Sequence, residues 1–563
     1  MIMKNVYTYM MTAAMVILAA GCAKEIDSVE PIGDKVVFEA SLAETAEAKA
    51  VLIPGKTSSK VQWEKGDQVG IYAGSAYYQY KADKSDASST LSPVGASSLA
   101  TEYYAVYPYD AAATLAGGVI TTTLPSEQTA ALESFSYHLA VAHSESLTLN
   151  FKNVCGLFVA DVTEPGVVTK IEIKGNSNED LAGKIAITVA DTPTWSVVEG
   201  EKVVSVSAPE GKTLQIGSYY MAILPQEFAG GVTVTAYYKD GTTFVKNVQD
   251  KVTVAASGLV GGKIASGEWV METKLTGLGN NPQDMILDSD GNFWVTRRTG
   301  VHGIYKYTIA DNKYTLFSKT SDLLKDSHPW GAYAHNGTLY FAAKAVGKIL
   351  KCDAQGNITQ YQVNGQTLSN PMKVLVDDSE NVYILCRAAA SKVYKVKNGD
   401  VLATYALPVG GTYGYEFMCF NVDKTKILTF PSDVGKIMQI DLSNGEIVQV
   451  AGTGTKHSNT NNYTDGMAGN PMTATLGQCE GAICDADGVI YFTDAAAGKT
   501  IRMFVPDANG DYSKGTIRTI VGTPYDNTVL NYPNGIALAA DGKTLYYAEN
   551  AGQIRKVSYV KNE

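Results

Sequence analysis

The sequence predicts an all-β chain in two parts, two β-sandwich lobes followed by a six-bladed β-propeller, and three observations carry that prediction. First, only 18% of residues are charged, 45% are hydrophobic, and Tyr (34) and Gly (53) are abundant, while few stretches repeat apolar residues at helical spacing; that mix favours strands and turns. Second, residues 35–266 read as short strands with alternating apolar and polar positions, as in Ile171-Glu172-Ile173-Lys174, which suits sheets with one wet face. Third, residues 267–563 repeat one pattern six times: an opening near Pro, an apolar strand, an Asp/Asn/Gly turn and a second apolar strand. A period of roughly 40–50 residues with several strands per unit is the signature of a propeller.

The N-terminal elements set the address. Residues 1–21 read as a signal peptide: Lys4 precedes an apolar run of 15 residues, Val6 to Ala20, too short to be read as a membrane span. The run ends in Leu18-Ala19-Ala20-Gly21-Cys22. This ending resembles the lipobox of bacterial lipoproteins, which implies lipidation at Cys22 and anchoring to a membrane without a spanning helix. Residues 22–34 then form an acidic tether (Lys24-Glu25-Ile26-Asp27). Its likeness to tethers of outer-surface lipoproteins implies an outer-membrane, lipid-anchored protein facing the cell exterior. Net charge is −11 and no dense Lys/Arg stripe appears, so a nucleic-acid partner is not expected.

Residues 35–266 are expected to divide into two lobes near 162–168, each of two packed sheets. Ordered motifs run through them: Trp63-Glu64-Lys65-Gly66-Asp67, Tyr104-Ala105-Val106-Tyr107-Pro108-Tyr109, Leu124-Pro125-Ser126-Glu127-Gln128, Leu149-Asn150-Phe151-Lys152-Asn153, and Tyr220-Met221-Ala222-Ile223-Leu224-Pro225. In this order they resemble the fimbrillin-like family of cell-surface lipoproteins. The resemblance implies a two-lobed β-sandwich, a role as fimbrial subunit or adhesin, and fimbrial subunits among the partners. Trp63, Tyr107 and Tyr109 read as core or interface aromatics. A shaft subunit must both accept and donate a strand; a large domain after the sandwich fits a tip or free-standing protein better.

In residues 267–563 the six copies open near Pro282, Pro329, Pro371, Tyr415, Cys479 and Pro533. Their hairpin turns include Asp288-Ser289-Asp290-Gly291, Asp485-Ala486-Asp487-Gly488 and Ala540-Asp541-Gly542. The copies resemble NHL-repeat propellers, most clearly at Val450-Ala451-Gly452-Thr453-Gly454 and Ile490-Tyr491-Phe492-Thr493-Asp494. The last copy ends after three strands, so residues 268–275 are expected to supply its outer strand and close the ring. The six Cys after residue 22 stand singly in apolar runs; no zinc spacing appears, and they read as buried small apolar residues.

Hairpin geometry puts the start of each first strand beside the end of the second. One rim therefore gathers Gln283, Asp284, Trp330, Met372, Lys373, Tyr415, Glu416, Glu480 and Asn534 with Arg297, Arg298, Lys344, Arg387, Asp494, Glu549 and Asn550. From these, the expected ligand-binding mouth is Asp284, Arg297, Trp330, Lys373, Arg387, Tyr413, Tyr415, Glu416, Glu480, Asp494, Asn534 and Glu549. Trp330, Tyr333, Tyr413 and Tyr415 would stack on sugar faces, with carboxylates, amides and guanidinium groups taking the hydroxyls. The function expected is an adhesin or glycan- or protein-binding lipoprotein, possessing no catalytic residues, cofactor or metal. The alternative is a Ca²⁺-dependent propeller hydrolase, lactonase or lyase with Glu416, Glu480, Asp494 and Asn534 on the ion; neighbouring Arg297, Lys373 and Arg387 would compete by pairing the carboxylates. None of the six His makes a metal-binding spacing, and no nucleophile elbow occurs. The insertion from Lys456 to Thr475 is longer than an ordinary loop, and either function or mobility would explain it.

Overall fold

The computed structural model describes residues 36–42, 63–135, 137–164, 166–264, 267–276, 281–288, 290–308, 313–495, 498–526 and 530–561. The expected signal peptide, Cys22 and the tether lie outside the described residues. The described residues are nearly all β, and the helical elements among them are short 3-10 turns. No helix among the described residues is long and apolar enough to cross a membrane.

Strands Phe38–Leu42, Gln68–Ala73, Ala76–Ala82, Ser88–Pro93, Tyr103–Tyr107, Ala140–Ser144 and Thr148–Asn153 pair into a closed barrel. Trp63 is fully buried there, edge-on to Tyr107 at 5.1 Å and Phe151 at 5.4 Å. Phe38 packs edge-on against Tyr80 and Tyr103. Such edge-to-face pairs add to the area they bury.

The second compact unit takes the described residues of 112–141 and 152–561. A division into two lobes was expected near 162–168. Residues 112–141 already belong to the second unit and 142–151 return to the first. The cause is long-range pairing: Val119–Leu124 runs antiparallel to Ala182–Thr188, and Gly156–Val162 pairs with both Gly217–Ile223 and Leu259–Ile264. No local composition shift marks such a crossing.

The rest of this unit holds six four-stranded antiparallel sheets. Blade 1 is Pro282–Leu287, Asn292–Arg297, Gly303–Thr308 and Lys313–Leu316; blade 2 is Pro329–His335, Thr338–Ala343, Lys348–Cys352 and Ile358–Tyr361. Blade 3 is Pro371–Val376, Val382–Cys386, Lys392–Lys397 and Asp400–Ala406; blade 4 is Tyr415–Phe420, Lys426–Pro431, Ile437–Asp441 and Ile447–Ala451. Blade 5 is Ala482–Cys484, Ile490–Asp494, Thr500–Val505 and Thr516–Val521. Blade 6 is Pro533–Leu538, Thr544–Glu549 and Gln553–Lys561, completed by Gly267–Thr276 from the other end of the domain. The ring closes from the inside as well. Asn281 N donates to Asn550 O at 3.0 Å, and Asn534 Nδ2 donates to Pro282 O at 2.6 Å.

Hairpin turns repeat one device. The carboxylates of Asp288, Asp377, Asp485 and Asp541 each accept backbone N–H groups from residues two to four further on. This Asx geometry is why Asp opens these four turns. Between blades the core is continuous apolar packing: Trp330 and Met372 with Val374 and Ile384, then Tyr415 and Met418 with Leu385 and Ile427. All six described Cys are free, five buried and Cys484 half-buried.

Candidate functional site: the propeller mouth

Five of the six first strands are irregular where they enter the ring. The pairing register shifts after Pro282, Pro329, Pro371, Tyr415 and Pro533. Pro is tolerated at such a position because it needs no ladder donor, and the bulge re-aims the residue that follows. Gln283, Trp330, Met372, Glu416 and Asn534 occupy those bulged positions.

The centre of the ring is tied shut by an ion pair. Asp284 of blade 1 and Lys373 of blade 3 are both buried, with Nζ 2.5 Å from Oδ2. Between them, blade 2 contributes Ala332 N, which donates to Asp284 Oδ2 at 2.8 Å, and Ala332 O, which accepts from Lys373 at 2.6 Å. The Lys373 ammonium also lies 4.4 Å from the Phe417 ring centre. These two expected ligand contacts are spent holding three blades together.

Around this plug stands a ring of charge with two unlike halves. Blades 1 to 3 contribute Arg298, Lys344 and Arg387; blades 4 and 5 contribute Glu416 and Glu480, all five interacting electrostatically. Arg387 Nη1 donates to Glu416 Oε1 at 2.6 Å, where the halves meet. Glu416 Oε2 accepts from Ser432 Oγ at 2.7 Å and from Gln478 Nε2 at 3.0 Å. Gln478 Nε2 also donates to Glu480 Oε1 at 2.6 Å, and Tyr532 Oη donates to the same oxygen at 3.4 Å. Glu480 Oε2 is buried and has no partner among the described residues. Burial first, then the neighbouring Glu416 charge, hold the Glu480 carboxyl above the usual carboxylate range against the pull of Arg298, Arg387 and Lys344. Lys344 is pushed down to about 8, chiefly by burial and then by Arg387.

Several expected ligand residues have other work. Trp330 is only 4% exposed; Lys344 Nζ sits 3.8 Å from its ring centre and Arg298 Cζ 5.2 Å. Two cations therefore lie over its ring, where a stacking sugar was expected. Tyr415 is packed between blades 3 and 4, and Tyr333 lies against the same core. Of the four aromatics, Tyr413 alone is largely exposed (51%), with Arg387 Cζ 4.7 Å from its ring centre. Arg297 leaves the mouth. Strand parity keeps it on the face of Phe293 and Val295, its guanidinium 5.5 Å from the Tyr305 ring centre, and Arg298, one residue on, turns inward.

Glu549 accepts from Asn531 N at 3.2 Å and Arg555 Nε at 3.3 Å, a buried tie within blade 6. Asp494 accepts from His457 Nε2 at 2.9 Å, Gly477 N at 3.2 Å and Arg502 Nη1 at 3.3 Å. Arg502, fully buried, also donates to Thr475 O and Thr464 O and pairs with Asp465 at 2.9 Å. This network pins the 456–475 insertion to blade 5, so its length is answered by a structural anchor. The four residues of the Ca²⁺ alternative are thus divided: Glu416 and Glu480 share Gln478, Asp494 holds the insertion, and Asn534 bridges blades 6 and 1. Among the described residues, no group of three or more His, Cys, Asp or Glu is arranged to hold a metal ion. Arg298, Lys344, Gln478 and Tyr532 are the mouth residues outside the expected set.

No protein-family model matches the chain, and no curated protein matches it. Among solved structures, it is similar to a streptogramin B lyase at 16% identity, covering 52% of this chain and 98% of that one with a TM-score of 0.38. It is also similar to an auxiliary nutrient binding protein from Bacteroides ovatus at 13% identity (78% and 97% covered, TM-score 0.40). A third is a gluconolactonase from Xanthomonas campestris at 11% identity (51% and 89% covered, TM-score 0.37). The propeller itself is established by its strand pairing.

Proposed function

We propose that the chain is a cell-surface binding protein, held at the outer membrane through lipid on Cys22, whose propeller mouth recognises an extracellular glycan or protein. One observation supports this reading above the others. The mouth converges polar side chains from five blades around a centre plugged by the buried Asp284–Lys373 pair. Such a surface, concave and lined by convergent polar groups, can hold a ligand. A fimbrial tip fits the same architecture, because a domain that binds must face outward from whatever carries it.

The Glu480 carboxyl, buried and held above its usual range, is the feature that favours the catalytic alternative, since a general acid needs that property. It has no arranged metal set beside it among the described residues. An array of glycans and matrix proteins probed with the full chain tests the binding reading. Bound ligands should be lost with Arg298→Ala and Tyr413→Ala together, because both side chains line the mouth. A protein that binds nothing on such an array, or whose ligands ignore both substitutions, has its recognition surface elsewhere.

A further inference from the structure

The two halves of the mouth leave specific valences open. On the basic side, neither Arg298 nor Lys344 has a carboxylate within ion-pair distance among the described residues; the nearest polar contact of the Arg298 guanidinium is Asn281 Oδ1 at 3.5 Å. Both cations instead cover the face of Trp330. They repel one another across the mouth, so an anion placed between them relieves a standing cost. Further around the mouth the unmet groups are side-chain oxygens. Glu480 Oε2, Asn534 Oδ1 and Gln283 Oε1 are buried without a hydrogen-bond partner, on the entry segments of the neighbouring blades 5, 6 and 1. A hydroxyl suits all three, because it donates to an amide oxygen or a carboxylate and accepts from a protonated carboxyl. Arg387 donates through Nη1 to Glu416 at 2.6 Å, and Glu480 Oε2 takes no bond from it.

We infer that the mouth takes an acidic saccharide, a sugar whose carboxylate lies between Arg298 and Lys344 while its hydroxyls hydrogen-bond Glu480 Oε2 and the unpaired amide oxygens beside it. One ligand chemistry meets both halves: a single anionic group on a polyol. A neutral sugar leaves the two cations unpaired, and a simple anion leaves the side-chain oxygens unpaired. Exposed Tyr413, beside Arg387, offers a ring face for a flanking sugar unit. The inference rests on the reading of the mouth as a binding surface.

Titration calorimetry on the full chain tests it, with oligomers of galacturonate, glucuronate and mannuronate against the neutral galactose, glucose and mannose oligomers of equal length. At least one uronate series should bind, with its neutral counterpart weaker by about tenfold or more, the ordinary worth of a charge-assisted contact. Lys344→Met and Arg298→Gln should each weaken uronate binding by a similar factor, and Lys344→Arg should restore most of it. Glu480→Gln should weaken both series alike. Unchanged melting temperatures in these variants exclude a folding defect. Neutral oligomers binding as tightly as uronates, or uronate binding indifferent to Lys344→Met, overturns the inference. So does the absence of uronate binding altogether. If other glycans or proteins still bind through Arg298 and Tyr413 in that case, the mouth remains a binding surface with a different ligand; if nothing binds, both readings fail.

Discussion

Replacing Asp284 by Asn should loosen three blades at once, because one carboxylate serves all of them. Asp284 is 2% exposed and accepts from Lys373 Nζ (2.5 Å), Ala332 N (2.8 Å) and Met285 N (2.9 Å). The amide keeps the size and one acceptor oxygen. It removes the charge that compensates a Lys whose side chain is only 8% exposed. Breaking a buried pair from one side costs about 3–5 kcal/mol, since the surviving charge is left desolvated. Lys373→Met leaves the carboxylate with two backbone N–H donors and should cost less. The double variant should fall short of the sum by about 1–3 kcal/mol, the coupling usual for side chains in direct contact. Hydrogen exchange on peptides covering Pro282–Leu287, Pro329–His335 and Pro371–Val376 reads this locally. A loss of about 3 kcal/mol corresponds to exchange faster by roughly a hundredfold. Additive single effects, or faster exchange confined to blade 1, would refute the account of the pair as a cross-ring tie.

Three further outcomes follow from other parts of the chain. Deleting residues 268–275 should lower the melting temperature far more than deleting 23–34, because it strips the partner of Gln553–Lys561; equal melting temperatures contradict the closure. His138, 1% exposed, has its folded pKa pushed down to about 4 by burial, so the imidazole stays neutral while the unfolded chain takes up a proton near 6.5. Stability should therefore fall between pH 6.5 and 4 by up to about 3 kcal/mol at roughly 1.4 kcal/mol per unit, and denaturant midpoints in His138→Phe should lose that component of the slope. Arg502→Met should free the 456–475 insertion, cost about 3 kcal/mol by leaving Asp494 short of a cation, and expose the insertion to limited proteolysis; cleavage no faster than in the parent would mean that the insertion is held otherwise.

The repeat architecture was legible because each blade carries its own local signals. Asp at the turn and Pro at the strand entry act within a few residues, so Asp288 and Pro282 announce blade 1 without reference to the rest. The missing outer strand was legible by counting, since Gln553–Lys561 needs a partner and only the far end of the domain could provide one. Long-range pairing was not, because nothing in Val119–Leu124 points to a partner some sixty residues away. Within the mouth, rim position could be read but not side-chain commitment. Asp284, Asp494 and Glu549 look like ligand contacts until their partners Lys373, Arg502 and Arg555 are known. Arg298 was recoverable: Phe293, Val295 and Arg297 share one parity, which sends the next residue the other way.

The strand that completes blade 6 follows directly on Leu259–Ile264, with residues 265 and 266 between them. Tension entering from the N-terminal side therefore reaches the propeller through the very ladder that keeps it circular. The other five blades are each built from consecutive strands, so this seam is where the circle depends on a join between distant parts of the sequence.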